Sequence, residues 1–308
     1  IIKKFNDTYP KKNILWLCEF KHLISQTFLK EKNPYHLDLK KRFLILDYTQ
    51  HKQPDWYMSV NTAKYWGRPV LLLINRAFLV SNNNYQRIQS PIGLIIHDEC
   101  HTIQNKTTCK FYQWIQNKWG NCRCIGFTAT PNHQIAPYNT LLSKYSILQS
   151  YLDNIIVNPH IVWIKSKVNL DNQSMGYIIK YLMKKHLVYH KVVVWCGMIE
   201  YCYQLALLWK QIFPQYKICI DTSQNDTHED TPKTYGNYQD FAKLENYGIL
   251  FCASKHREGS DIYHLDGCIF LDKVEKRNHK VFAQSLGRVV RKDKEGNKQQ
   301  GLMIDFNA

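Results

Sequence analysis

Three groups of residues in this chain have the types and spacing to do chemistry. The first is Leu94-Ile95-Ile96-His97-Asp98-Glu99-Cys100-His101, an apolar run ending in an acidic pair, with a histidine two residues on. In such a place Asp98 can hold a divalent cation through water, and Glu99 can polarise an attacking water. Taken alone, the octamer fits a strand that stops at a solvated acidic turn equally well. The second group is Gln284, Gly287, Arg288 and Arg291. On a helix Gln284, Arg288 and Arg291 share one face, from which two forked guanidiniums can grip a polyphosphate. A merely solvated basic face is the plain alternative, and Gly287 counts against it by implying a close approach. The third group is a pair of loops. In Gly126-Phe127-Thr128-Ala129-Thr130-Pro131 the two threonines point the same way along an extended segment, and Ser254–Ile262 carries Gly259 and Asp261. Each loop by itself reads as an ordinary polar turn.

These groups can act together only if the chain delivers them to one edge of a sheet. Short apolar runs recur at Ile14–Cys18, Phe43–Leu46, Val70–Ile74, Leu94–Ile96 and Cys124–Phe127. They return at Val192–Cys196, Tyr216–Ile220, Ile249–Cys252, Cys268–Leu271 and Leu302–Ile304, with helical or polar stretches between. That alternation predicts an α/β fold of mainly parallel sheets flanked by helices. In open sheets of this kind, ligands bind beyond the carboxyl ends of the strands, where all three groups would lie. The expected division is a first domain over residues 1–150, a linker over 151–172 and a second domain over 173–308. The irregular stretch from Pro131 to Asp171, with Pro137 and Pro159, suggests the linker. A helix is expected from about Ser174, with Met175, Ile178, Ile179 and Leu182 inward and Lys180, Lys184 and Lys185 outward. Thr222 to Gly236 reads as a surface loop.

Composition narrows the class. The 308 residues are 44% hydrophobic, enough for sizeable cores, and their formal charge of +16 favours a polyanionic partner. No apolar stretch approaches the roughly 18 residues that span a bilayer, and Ile1-Ile2-Lys3-Lys4 does not resemble a secretory leader. The expectation is an intracellular protein with no membrane partner, monomeric by default, whose ten cysteines are reduced. Two zinc readings are weaker. His97-x-Glu99 is half of a deaminase signature, but Cys122-Arg123-Cys124 lacks its second half; Cys100, Cys109, Cys122 and Cys124 fit no common ligand spacing.

In order and type, these segments resemble the superfamily 2 DExH/DEAD-like helicases. Asp98-Glu99-Cys100-His101 is similar to motif II, Thr128-Ala129-Thr130 to motif III, Ser254–Ile262 to motif V and Gln284–Arg291 to motif VI. Asn13–Phe20, Leu71–Phe78 and Val192–Glu200 resemble motifs Ia, Ib and IV. The phrases Leu94–His101 and Arg257–Ile262 are similar to those of helicases from large DNA viruses. The resemblance implies two RecA-like domains with ATP and Mg²⁺ in a cleft between them, and a nucleic-acid partner, DNA rather than RNA. It implies that Asp98 positions Mg²⁺, Glu99 activates water and His101 links to Gln284. Arg288 and Arg291 would face the γ-phosphate, Gly259 and Asp261 would approach the nucleotide, and Thr128 and Thr130 would couple hydrolysis to movement. The family also needs a G-x-x-x-x-G-K-[ST] phosphate loop, and none of the thirteen glycines here precedes a lysine. That loop is expected upstream of residue 1, so that the 308 residues alone hydrolyse little ATP. The competing expectation is a helicase-like module that binds nucleic acid or a partner without turnover.

Overall fold

The structure, a computed structural model, describes residues 1–19, 34–48, 55–129, 138, 140–165, 170–223, 235–256, 262–272, 274 and 276–307. It divides into two units, Ile1–Ser143 and Lys144–Ala308.

The first unit is built on five parallel strands, β1 Asn13–Cys18, β2 Leu44–Asp47, β3 Val70–Asn75, β4 Ile92–Asp98 and β5 Arg123–Phe127, in spatial order β2-β3-β1-β4-β5. The central strands are apolar on both faces because helices cover both. Leu15, Leu17, Leu72 and Ile95 pack with Trp56, Phe111 and Ile115 on one side, and Ile14, Leu71, Leu94 and Ile96 pack with Phe5 and Phe43 on the other. Two close approaches depend on glycine. A Cβ on Gly126 would come within 2.6 Å of the Cys100 sulfur, and one on Gly93 within 2.7 Å of the Lys12 stem.

The second unit has six parallel strands: β6 Asn158–Lys165, β7 Lys191–Trp195, β8 Lys217–Ile220, β9 Gly248–Cys252, β10 Gly267–Phe270 and β11 Gln300–Asn307. Their order is β6-β11-β10-β7-β9-β8. The helix Asn172–His186 starts where expected, capped by the Asp171 carboxylate, which accepts from the Ser174 amide. It buries Met175, Ile179 and Met183 against Trp209 and Phe213. Lys180 does not simply point outward: its ammonium donates to the Ile212 carbonyl at 2.6 Å.

One expectation needs correction. The stretch read as a linker over 151–172 contains β6, which pairs along its whole length with β11. It escapes an apolar-run reading because it is an edge strand whose burial alternates, with Trp163 53% exposed. Pro159 is tolerated there because one side of an edge strand needs no ladder donor. All ten apolar runs named above are strands. The polar stretch from Thr222 to Gly236 lies largely outside the described residues.

Candidate functional site

In the first unit the acidic pair sits at the carboxyl end of β4, one strand in from the edge. Glu99 takes a left-handed backbone, φ +56°, unusual for a residue with a Cβ. The chain thereby leaves the strand sharply into the 3-10 turn Cys100–Gln104. The Glu99 amide turns back to donate to the Asp98 carboxylate at 3.1 Å. His101 then joins two strand ends: its Nδ1 lies 3.1 Å from Glu99 Oε2 and 3.1 Å from Thr128 Oγ1, just past β5. Burial raises the Asp98 pKa above the ordinary carboxylate range, partly offset by the Glu99 amide. A carboxylate penalised by burial is a group that a cation would stabilise. Among the described residues no cluster of three or more His, Cys, Asp or Glu could cage a metal. Cys100, Cys109, Cys122 and Cys124 thus do not converge as zinc ligands, and all ten cysteines are free thiols.

Behind this edge lies a buried polar network that joins the Asn13–Phe20, Leu71–Phe78 and Leu94–His101 segments. His97, fully buried, places Nδ1 2.9 Å from the Tyr112 hydroxyl and Nε2 3.8 Å from the Glu19 carboxylate. Glu19 follows β1 and is paired with Arg76, which donates to it through two nitrogens and to Thr108 Oγ1 at 2.8 Å. Tyr112 is within 3.2 Å of the Tyr138 hydroxyl. Burial lowers the His97 pKa, and the nearby Glu19 carboxylate opposes that shift. Glu19 and Arg76 are isolated charges 57 positions apart, and sequence spacing carries no sign of such a pair.

In the second unit, Gln284 and Arg288 lie on the helix His279–Val289. Arg291 does not: the helix ends at Val289, Val290 caps it, and Arg291 forms an antiparallel bridge with Ile156. Past the cap the backbone is drawn to the segment before β6, the Val290 carbonyl accepting from the Val157 amide at 2.9 Å. Gly287 is not required by packing either, since a Cβ there meets nothing within 4 Å. The segment leading into the helix is clamped by Arg277. Its guanidinium reaches Asp272 at 2.6 and 3.1 Å and Asp305 at 2.7 and 2.9 Å, and lies 3.7 Å over the Phe270 ring. Beyond β8 and β9, Asp221 binds His256 at 2.6 Å and Lys255 at 2.7 Å. Gly259, Asp261 and Thr130 lie outside the described residues.

Residues 1–133 match the family model described as "Type III restriction enzyme, res subunit". No curated protein matches the chain. Among solved structures, a fragment described as an HsdR subunit of a type I restriction enzyme from Vibrio vulnificus YJ016 superposes with TM-score 0.65 at 16% identity, covering 96% of this chain and 53% of that one. The chain has a two-unit, RecA-like α/β fold. S. cerevisiae Dbp5, solved with RNA and ADP BeF3, gives TM-score 0.57 at 12% identity over 96% of this chain and 71% of that one. The ATP-dependent Type ISP restriction-modification enzyme LlaBIII, solved with DNA, gives 0.60 at 13% over 98% and 25%. The chain thus spans about half of the HsdR fragment and a quarter of LlaBIII. No helix among its described residues is long and apolar enough to cross a membrane.

Proposed function

We propose that the chain is the core of an ATP-dependent nucleic-acid translocase or helicase, with DNA the preferred track. The observation that carries this reading is His101, which ties the Asp98–Glu99 end of β4 to Thr128 at the end of β5. A water-activating carboxylate is thereby linked mechanically to a second strand end, as coupling of hydrolysis to movement requires. Relatives of the same fold solved with ADP BeF3 and RNA, or with DNA, support the choice of ligands.

In this reading Asp98 would hold Mg²⁺ through water, and the ion would supply charge against the phosphates. Glu99 accepts a proton from the attacking water, and His101 holds the Glu99 carboxylate in line. Arg288 and Arg291 supply positive charge to the transferred phosphoryl group, with Gln284 positioned among them. Thr128 and Thr130 carry the coupling, and Gly259 and Asp261 approach the nucleotide. One observation favours a second reading, a binding module without turnover: no phosphate-cradling loop occurs within the 308 residues. We therefore propose that these residues alone turn over little ATP.

Nucleic-acid-stimulated ATPase of the full-length gene product separates the two readings. Glu99→Gln should lower turnover by about 100-fold or more while leaving nucleic-acid binding intact. Equal turnover in variant and parent would overturn the catalytic assignment, and no turnover in the full-length parent would establish the binding module.

A further inference from the structure

The first unit is electrically polarised along its strands. Its carboxylates Glu19, Asp47, Asp98 and Glu99 stand at the carboxyl ends of β1, β2 and β4. Nine of its nineteen Lys and Arg stand at the opposite edge. Because all five strands run parallel, every residue that precedes a strand arrives at that one edge. Lys11 and Lys12 precede β1, Lys40, Lys41 and Arg42 precede β2, and Arg68 precedes β3. Arg87 and Lys118 precede β4 and β5, and Arg123 opens β5. Residues 1–143 carry nineteen Lys and Arg against eight Asp and Glu, so most of the chain's net charge belongs to this unit.

The edge is also built, not merely decorated. Arg68 donates to the Phe43 carbonyl at 2.8 Å, stitching the start of β3 to that of β2. Asn13 donates to the Pro91 carbonyl at 3.0 Å and accepts from the Val70 amide at 2.8 Å, joining β1 to β4 and β3. Lys118 donates to the Ile88 carbonyl at 2.8 Å, and Arg123 to the Tyr9 hydroxyl at 2.7 Å. Between these stitches opens a cavity of about 600 Å³ lined by Lys11, Lys12, Arg68, Asn61 and Gln89. Of the acids at this edge, Asp7 and Asp38 are both spent on Arg42. Tyr65 and Trp66, 75% and 52% exposed, immediately precede the left-handed Gly67 and Arg68 at its rim.

We propose that this amino-terminal edge of the first sheet is a second nucleic-acid contact, remote from the Asp98 end, that takes a single-stranded segment. Lys11, Lys12, Lys40, Lys41 and Arg68 would track the phosphates, and Trp66 with Tyr65 would stack on bases. A basic groove rimmed by exposed aromatics is the combination that binds single strands without sequence preference. The inference deepens the reading of a nucleic-acid motor and uses none of the hydrolytic residues.

The test is fluorescence anisotropy of the protein with a labelled thymidine oligonucleotide of about 20 nucleotides, measured across a salt series. The four substitutions Lys11→Gln, Lys12→Gln, Lys40→Gln and Lys41→Gln together should flatten the dependence of log K on log salt. The expected change is about 0.7 for each phosphate left without its lysine, hence roughly 2 to 3. Trp66→Ala should weaken binding about tenfold or more with the salt slope unchanged, as removal of one stacking platform implies. Both variants should keep the unstimulated ATPase of the parent. An unchanged slope in the lysine variant and unchanged affinity in Trp66→Ala would make the edge a solvated face and overturn the proposal. Capture of phosphatidylserine vesicles in place of the oligonucleotide would overturn it in favour of a membrane surface. Weakened binding in the variants of a protein whose parent shows no stimulated ATPase would sustain this second nucleic-acid site while removing the motor reading.

Discussion

At the scale of single residues, the sharpest energetic statement concerns Glu19 and Arg76. Both are largely buried, with side chains 13% and 9% exposed. Removing either partner leaves a largely buried charge without its ion-pair partner. Glu19→Gln or Arg76→Met should each cost about 3 to 5 kcal/mol, whereas replacing both by apolar residues should cost clearly less than the sum. Urea denaturation of the singles and the double decides this, and strictly additive losses would contradict it. Lys298 makes a different prediction. It is 4% exposed, donates to the Leu265 carbonyl at 2.6 Å, and burial pushes its pKa down to about 8. An unfolded lysine titrates near 10.4, so between those values the unfolded chain holds a proton that the folded one has lost. The penalty for burying this ammonium is full below about pH 8 and fades as pH rises toward 10.4, at up to about 1.4 kcal/mol per pH unit. Lys298→Met should therefore flatten the stability profile over that window, and superimposable profiles would refute the assignment.

At the scale of elements, the strands buried on both faces were legible because continuous apolar runs are what such burial demands. β6 was not, because an edge strand needs only half of that pattern and Pro159 mimics a linker. The acidic pair and its histidine were legible as a strand end; the Glu19–Arg76–His97 network behind them was not, since pairing across a sheet leaves no local spacing. Periodicity carries the helix His279–Val289 on to Arg291, because it cannot see that the chain there pairs with the distant Ile156–Val157 segment instead. Two glycines, one in this helix and one beside it, set up opposite outcomes. A Cβ on Gly301 of β11 would sit 2.2 Å from the Val289 carbonyl oxygen, a backbone atom with nowhere to go. Gly301→Ala should cost about 3 kcal/mol or more, in the range of severe overpacking. Gly287→Ala, with open space around it inside a helix, should instead stabilise by about 0.5 to 1 kcal/mol. Thermal melts of the two variants should move in opposite directions.

At the scale of the whole molecule, each unit owns its cores. Among the described residues Trp56 packs with residues of the first, and Trp209 with residues of the second. Trp56→Ala and Trp209→Ala should each cost about 3 to 5 kcal/mol, but in separate unfolding transitions seen by calorimetry. A single transition lowered equally by both would show the units to be one cooperative block. The second sheet has a further consequence, in time rather than in energy. β11 lies between β6 and β10, yet it is made roughly 140 residues after β6. At synthesis rates of about 5 to 20 residues per second, β6 waits on the order of 10 to 30 seconds for its partner. During that interval both flanks of the missing strand are open seams in a nascent chain. The protein's exposure to chaperones and to misassembly is thus written into the strand order of its second sheet.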